Sequence, residues 1–269
     1  MFPDLPDSAT RAAVQPFLAL NASASFLFNA LFPDHCRVCE IPLKHFSRIP
    51  VCPDCLRAPE PIAAEFFCIA CRTPFLNRSP LDESGRCSLC RLGLSGFDQV
   101  FTFGSYEGPL RKLIHVFKYQ GVQPLAPLLG GFLRRALPIE EHFDLIVPMP
   151  LHWRRRWSRG FNQSALLARE IARRFDAPVT QALRRVRFTP SQAGLTNAAR
   201  RANMSGAFRI KPGARIKGKR VLLVDDVLTT GATAAACARV LKRAGAAHVT
   251  LLALARTDRR INLNAEQTA

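Results

Sequence analysis

Between Arg220 and Thr233 the chain reads Val221-Leu222-Leu223-Val224, then Asp225-Asp226, then Val227-Leu228-Thr229-Thr230-Gly231-Ala232-Thr233. The apolar run has the composition of a buried strand, which delivers the two acids to its carboxyl end, where open α/β sheets place their ligands. Adjacent carboxylates there accept hydrogen bonds from vicinal sugar hydroxyls. Beyond them Gly231 lets backbone approach a phosphate, while Thr229, Thr230 and Thr233 set hydroxyls beside the unpaired N–H groups of a helix start. That combination encloses a monophosphate. An acid pair at a strand end can also merely cap the next helix, but acids, phosphate turn and helix start in this order favour a sugar phosphate. The two common nucleotide fingerprints are missing: the full P-loop signature G-x4-G-K-S/T does not occur, and no G-x-G-x-x-G follows a strand.

A second chemistry lies upstream. Eight of the nine cysteines fall between Cys36 and Cys90, all as C-x-x-C pairs: Cys36-x2-Cys39-x12-Cys52-x2-Cys55 and Cys68-x2-Cys71-x15-Cys87-x2-Cys90. Two residues between ligands let both sulfurs of a tight turn point at one ion, and a second pair completes a tetrahedron with no open position for water. Each half fits a closed, structural, all-thiolate zinc ribbon, and the two quartets suggest a tandem duplication. Free thiols or redox pairs are the alternatives, and four evenly organised pairs argue against both. Cys237 sits among alanines in an expected helix and reads as a small buried hydrophobe.

A third segment is Asp144 to Pro150, a strand leading into Leu151-His152-Trp153-Arg154-Arg155-Arg156-Trp157-Ser158-Arg159-Gly160. It brings cations to the same sheet edge as the acids. Trp153, Trp157 and Phe161 interleave with arginines as a stacking platform for single-stranded nucleic acid would, although aromatics at i, i+4, i+8 also describe the core face of a helix. Arg184 to Arg201, basic and containing Pro190 and Gly194, reads either as a hood that closes over a site or as an ordinary surface loop.

These segments need a scaffold. Apolar runs at Val100 to Phe103, Leu145 to Val147, Val221 to Val224 and Val249 to Leu254 alternate with helical patterns at Leu110 to Tyr119, Leu125 to Leu137, Gln163 to Phe175 and Ala234 to Ala244. Alternation of this kind predicts an α/β domain with a parallel, twisted, doubly wound sheet. The expected organisation is an N-terminal helical segment over 1–34, a cysteine module over 35–96, the α/β domain over 97–258 and a tail over 259–269.

The net charge of +18 belongs to the second part: residues 1–104 hold 9 Lys/Arg against 10 Asp/Glu, and residues 151–220 hold 18 against 2. Such density calls for an anionic partner or a heavily solvated face. Asp4 and Asp7 stand where a secretory signal needs positive charge. No run of about 18 apolar residues predicts a membrane-spanning helix, and the apolar segment Phe17 to Phe32 reads as a docked helix. The expected location is cytoplasmic.

The segment Val221 to Thr233 resembles the phosphoribosyl pyrophosphate (PRPP) motif of type I phosphoribosyltransferases. The resemblance implies that Asp225 and Asp226 hold the ribose 2′ and 3′ hydroxyls. It implies further that the turn from Val227 and Leu228 through Thr229, Thr230, Gly231, Ala232 and Thr233 holds the 5′-phosphate. Pyrophosphate would lie on the Pro148, Met149, Pro150 and Leu151 backbone, helped by Arg154, Arg155 and Arg156, since one Mg²⁺ bound by the ligand's own oxygens cannot neutralise all its charge. Together with the cysteine pairs and the segments around Lys118-Tyr119-x-Gly121, Pro148 to Gln163 and Gln192 to Phe208, nearly the whole chain is similar to the ComF (GntX-like) family. That resemblance implies a double zinc ribbon joined to a type I phosphoribosyltransferase domain, with structural Zn²⁺, Mg²⁺ with PRPP, and DNA-uptake proteins as partners. Two functions follow: Mg²⁺-dependent phosphoribosyl transfer to an amine, a base or a nucleic-acid end, or a non-catalytic grip on single-stranded DNA. Glu107, His115 and His152 are each candidates for a general base.

Overall fold

The computed structural model describes residues 34–43, 47–92, 96–151, 160–186 and 206–257. The N-terminal segment expected over 1–34, the tail, the arginine run Arg154 to Arg156 with both tryptophans and His152, and most of the basic segment 184–201 lie outside the described residues. The chain divides into two compact units, Met1–Cys52 and Pro53–Ala269.

In the first unit the chain turns back on itself through the bridge His35–Pro42, and the amide of Glu40 donates to the Cys36 carbonyl at 2.7 Å. The second unit opens with a short helix α1 (Pro53–Arg57), a two-residue ribbon β1 (Phe66–Phe67) with β2 (Pro74–Phe75), and a single turn α2 (Ser88–Arg91). The α/β domain follows as β3 (Gln99–Ser105), α3 (Gly108–Tyr119), α4 (Ala126–Ala136), β4 (Leu145–Pro148), α5 (Gln163–Phe175), β5 (Leu183–Arg185), β6 (Phe208–Ile210), β7 (Arg220–Leu228), α6 (Ala232–Arg243) and β8 (His248–Arg256).

Strands β3, β8, β7 and β4 form one parallel sheet in that order. Alternate strand residues Val221, Leu223, Val249 and Leu251 share a cluster with Ala234, Cys237 and Leu241 of α6, as period-two side chains must when one face of a sheet meets a helix. Helices α4 and α5 pack against the sheet through fully buried residues including Leu129, Leu133, Leu167 and Ile171. The four expected strands and four expected helices are all present, and Cys237 is wholly buried in the core. Helix α6 stops before Gly245, whose φ of +88° continues no right-handed helix.

Two boundaries differ from the sequence reading. Strand β7 does not end at Val224 but runs through both acids to Leu228, because β8 continues to pair with it at Asp225–Ala253, Val227–Ala255 and Leu228–Arg256. Helix α6 begins at Ala232, so the turn between strand and helix is only Thr229, Thr230 and Gly231. Arg184 and Arg185, expected in a loop, instead lie in a strand: β5 pairs antiparallel with β6 as a small ribbon beside the main sheet.

Candidate functional site

Among the described residues, β7 has a partner on its other edge only as far as Val224. Strand β4 pairs with it from Leu145–Val221 to Pro148–Val224, the Met149 amide donates to the Val224 carbonyl at 2.8 Å, and the chain then departs at Pro150. The β7 edge carrying Asp225 to Leu228 is thereby left without β4 at the carboxyl end of the sheet, where α/β folds place ligands. A cleft of about 280 Å³ opens there. Asp225, Asp226, Val227, Leu228, Thr229, Thr230, Gly231, Ala232 and Thr233 all line it, as do Met149, Pro150 and Leu151. Pro148 lies in a neighbouring groove.

Gly231 has φ +77°, a left-handed conformation that glycine adopts without steric cost, and it turns the chain directly into α6. The Ala235 amide donates back to the Gly231 carbonyl at 2.8 Å, and the Ala232 amide reaches the Thr230 hydroxyl at 3.4 Å. Gly231, Ala232, Thr233 and Ala234 line the cleft, so the positive end of the α6 dipole lies at its wall.

The two acids have different surroundings. Asp225 accepts from the Ser164 hydroxyl at 3.2 Å and from the Asp226 amide at 2.9 Å. Burial, with the Asp226 charge beside it, pushes its carboxyl up to about 7. Asp226 is 8% exposed and lies 2.7 Å from the Nζ of Lys118. Burial alone would lower the Lys118 ammonium, but the carboxylates of Asp226 and Asp225 outweigh it and hold it above the ordinary lysine value.

The cysteines form two separate groups. The sulfurs of Cys36, Cys39, Cys52 and Cys55, and those of Cys68, Cys71, Cys87 and Cys90, lie within 4.8 Å of one another in each group. In the second, all four residues are buried, Cys68 and Cys90 are 3.7 Å apart and so are Cys71 and Cys87, and the Cys87 amide donates to the Cys68 sulfur at 3.3 Å. Hydrogen bonds from Cys71, Cys87 and Cys90 pull the Cys68 thiol far down, while hydrogen bonding to Cys68 and Cys71 pushes Cys87 and Cys90 up. Four thiols crowded this closely share their protons and ionise together only around a cation. Four thiolates converging on one point, with amides donating to sulfur, suit tetrahedral Zn²⁺, so the two groups suggest two zinc sites.

The model of the phosphoribosyl transferase domain family matches residues 162–265. The DNA utilization protein YhgH of Escherichia coli O6:H1 is 33% identical over 238 residues, covering 84% of this chain and 98% of that protein. Competence protein F of Haemophilus influenzae is 34% identical over 178 residues, 63% of this chain and 78% of that one. The chain belongs to the ComF family. Competence protein ComFC of Streptococcus pneumoniae is 30% identical over 179 residues, 64% and 76%.

Several groups in this ComF-family cleft are given no role by the sequence reading. Lys118, in a segment noted only for its family resemblance, borders the apolar stripe Leu110, Leu113, Ile114 and Phe117 of α3, a second sequence signal for a placed lysine. Asn162 caps α5 by accepting from the Ser164 amide at 3.1 Å, and its Nδ2 donates to the Met149 carbonyl at 3.1 Å, tying β4's exit to the helix start. Tyr106, Tyr119 and Arg185 also line the cleft. Glu107, at the start of α3, and His115, tilted at 38° against the Tyr119 ring with centroids 4.7 Å apart, do not. Among the described residues no helix is long and apolar enough to cross a membrane.

Proposed function

We propose that this ComF-family protein binds PRPP with Mg²⁺ in the cleft and transfers its phosphoribosyl group to an acceptor in the handling of incoming DNA, as the names of its relatives suggest. The observation that carries the reading is the joint placement of Asp225, Asp226 and the Thr229–Thr233 turn on one cleft at the open end of β7. The acids accept from the ribose hydroxyls, and the turn and first amides of α6 enclose the 5′-phosphate. The backbone from Pro148 to Leu151, with Arg154, Arg155 and Arg156, receives the pyrophosphate. Mg²⁺ arriving with PRPP would supply charge that neutralises the pyrophosphate leaving group. As the ribose becomes oxocarbenium-like, the ionised acids stabilise its positive charge, and Lys118 keeps the pair from being a bare double negative.

The cysteine groups add a structural Zn²⁺ role, and thiols kept reduced for metal suit the cytoplasm. A non-catalytic grip on single-stranded DNA is the second reading, favoured by the basic stretch 151–220 with its 18 Lys/Arg. Calorimetry with PRPP and Mg²⁺, followed by pyrophosphate release against candidate acceptors, tests both. Binding that Asp226→Asn weakens at least tenfold, with release in the presence of an acceptor, supports transfer. Absence of any heat with PRPP overturns the site. Tight binding without release supports the grip.

A further inference from the structure

Helix α3 turns one face to the core through Leu110, Leu113, Ile114, Val116 and Phe117, and leaves Arg111, Lys112, His115 and Tyr119 exposed. Arg111, His115 and Tyr119 are spaced four residues apart, so their side chains form one stripe along about 12 Å of helix, with Lys112 beside it. The helix sequence itself contains Arg111, Lys112 and Lys118 and no acid. Glu107, half-buried one turn before Arg111, closes the stripe at that end with the opposite charge.

The rings along this face are held in place and reach the cleft. The Arg111 guanidinium lies 5.9 Å from the centre of the Tyr106 ring, and the Tyr119 ring leans against His115 at 4.7 Å. Tyr106 and Tyr119 both line the cleft beside Lys118, which holds Asp226. Tyr119 is nonetheless 59% exposed. A single exposed aromatic is ordinary on a protein surface. An exposed ring at the rim of a cleft, two turns along one helix face from a pair of cations, is an arrangement that takes a base on the ring and phosphates on the cations. The helix orders the two: its positive, N-terminal half carries Arg111 and Lys112 and favours phosphate, whereas its C-terminal end, at Tyr119, disfavours an anion and suits an uncharged base.

We infer that the outer face of α3 binds single-stranded nucleic acid, with phosphates on Arg111 and Lys112 and a base stacked on Tyr119 at the rim of the cleft. The face alone carries this inference. That the stacked base belongs to the acceptor, so that the strand is what is brought to the ribose, rests on the reading of the cleft as a phosphoribosyl site.

The test uses the full chain and two labelled probes of about eight units, an oligothymidylate and the same sugar-phosphate chain without bases, followed by fluorescence anisotropy at several salt concentrations. The oligothymidylate is expected to bind at least fivefold more tightly than the abasic chain. Tyr119→Leu should weaken the oligothymidylate at least fivefold and leave the abasic chain within twofold, whereas Tyr119→Phe, which keeps the ring, should match wild type within twofold for both. Arg111→Gln/Lys112→Gln should reduce the slope of log affinity against log salt by about 1.4, roughly 0.7 for each of two single-strand phosphates. Its melting temperature should not fall, and its ribose 5-phosphate affinity should stay within twofold of wild type. Strand binding that survives Tyr119→Leu and the double variant unchanged places the strand on the basic stretch 151–220 and overturns the inference. So does an absence of binding to wild type, a Tyr119→Leu loss equal for the two probes, or a double variant that loses ribose 5-phosphate as strongly as the strand. If PRPP and ribose 5-phosphate fail to bind while the strand binds as described, the reading of the cleft fails and the α3 face stands.

Discussion

The ammonium of Lys118 and the carboxylate of Asp226 meet at 2.7 Å, with 11% and 12% of their side chains exposed, so that a helix and a strand far apart in the chain share one buried ion pair. Removing one partner of such a pair leaves the other charge without compensation, a loss of about 3 kcal/mol or more. Lys118→Met is expected to lower stability to denaturant by that order. It should also weaken PRPP, because the ammonium no longer fixes the Asp226 carboxylate 2.7 Å away for the ribose. Lys118→Arg should restore most of the stability. The Lys118 ammonium is held above its ordinary value, so the native protein keeps its proton longer than the unfolded chain does. The pair's contribution is therefore full below the ordinary lysine range and is lost as pH rises through the raised native value. Chemical denaturation of wild type and Lys118→Met at rising alkaline pH should show the two curves converging.

Asp225 carries the opposite burden. Its carboxyl titrates at about 7 in the folded protein against an unfolded value of 3.8, so the native state holds a proton that the unfolded state releases across that window. Stability from this residue is therefore full at the acid side and declines as pH rises toward 7. Asp225→Asn is expected to be more stable than wild type at pH 8 and nearly equal to it at pH 4, while binding the sugar phosphate far more weakly. In wild type, ribose 5-phosphate affinity should rise between pH 6 and 8 more steeply than in Asp225→Asn, the variant subtracting the titration of the ligand itself. Parallel slopes in the two proteins would remove Asp225 from the diol grip.

The acids and the turn were legible in the sequence because their signal is local: apolar strand, acids, threonines and glycine follow one another without interruption. The extension of β7 to Leu228 was not, since two aspartates argue against a strand and only pairing with β8 keeps them in one. Lys118 sits in a segment singled out by resemblance, yet its role depends on Asp226, 108 positions away by subtraction of their residue numbers. Arg184 read as loop because the ribbon partner that makes it a strand lies beyond a long intervening segment. Pairings of this range leave no trace in periodicity.

The second cysteine group is fastened to the cleft by another contact of this kind. Arg256, 3% exposed at the end of β8, donates to the Cys71 carbonyl and to the Thr73 hydroxyl. Its strand partner is Leu228, the residue before the Thr229–Gly231 turn, whose carbonyl also accepts from the Thr257 amide at 3.0 Å. Ala235 in the first turns of α6 packs in the same cluster as Cys68 and Cys90. Zinc removal by a chelator should therefore release about two ions per chain under four-thiolate coordination, and should lower ribose 5-phosphate affinity as well as the melting temperature. Arg256→Met is expected to retain the ions but to reproduce part of the affinity loss. Unchanged affinity after complete zinc release would show that the ribbon and the turn are independent.

Asn162 offers the sharpest separation between the two ends of the ligand. Its Oδ1 caps α5 through the Ser164 amide, and its Nδ2 holds the Met149 carbonyl, both at 3.1 Å. Asn162→Asp keeps the acceptor that caps the helix, so stability should change by only a few tenths of a kcal/mol, whereas Asn162→Ala should lose about 1 kcal/mol. Both variants lose the donor that fixes Met149, and the aspartate sets a negative charge against that carbonyl at the place where pyrophosphate would lie. PRPP affinity is therefore expected to fall at least tenfold in Asn162→Asp while ribose 5-phosphate, which has no pyrophosphate, binds within about threefold of wild type. Calorimetry with the two ligands reads the difference directly. An equal loss for both would mean that the Met149 to Leu151 backbone serves the whole cleft rather than its pyrophosphate end.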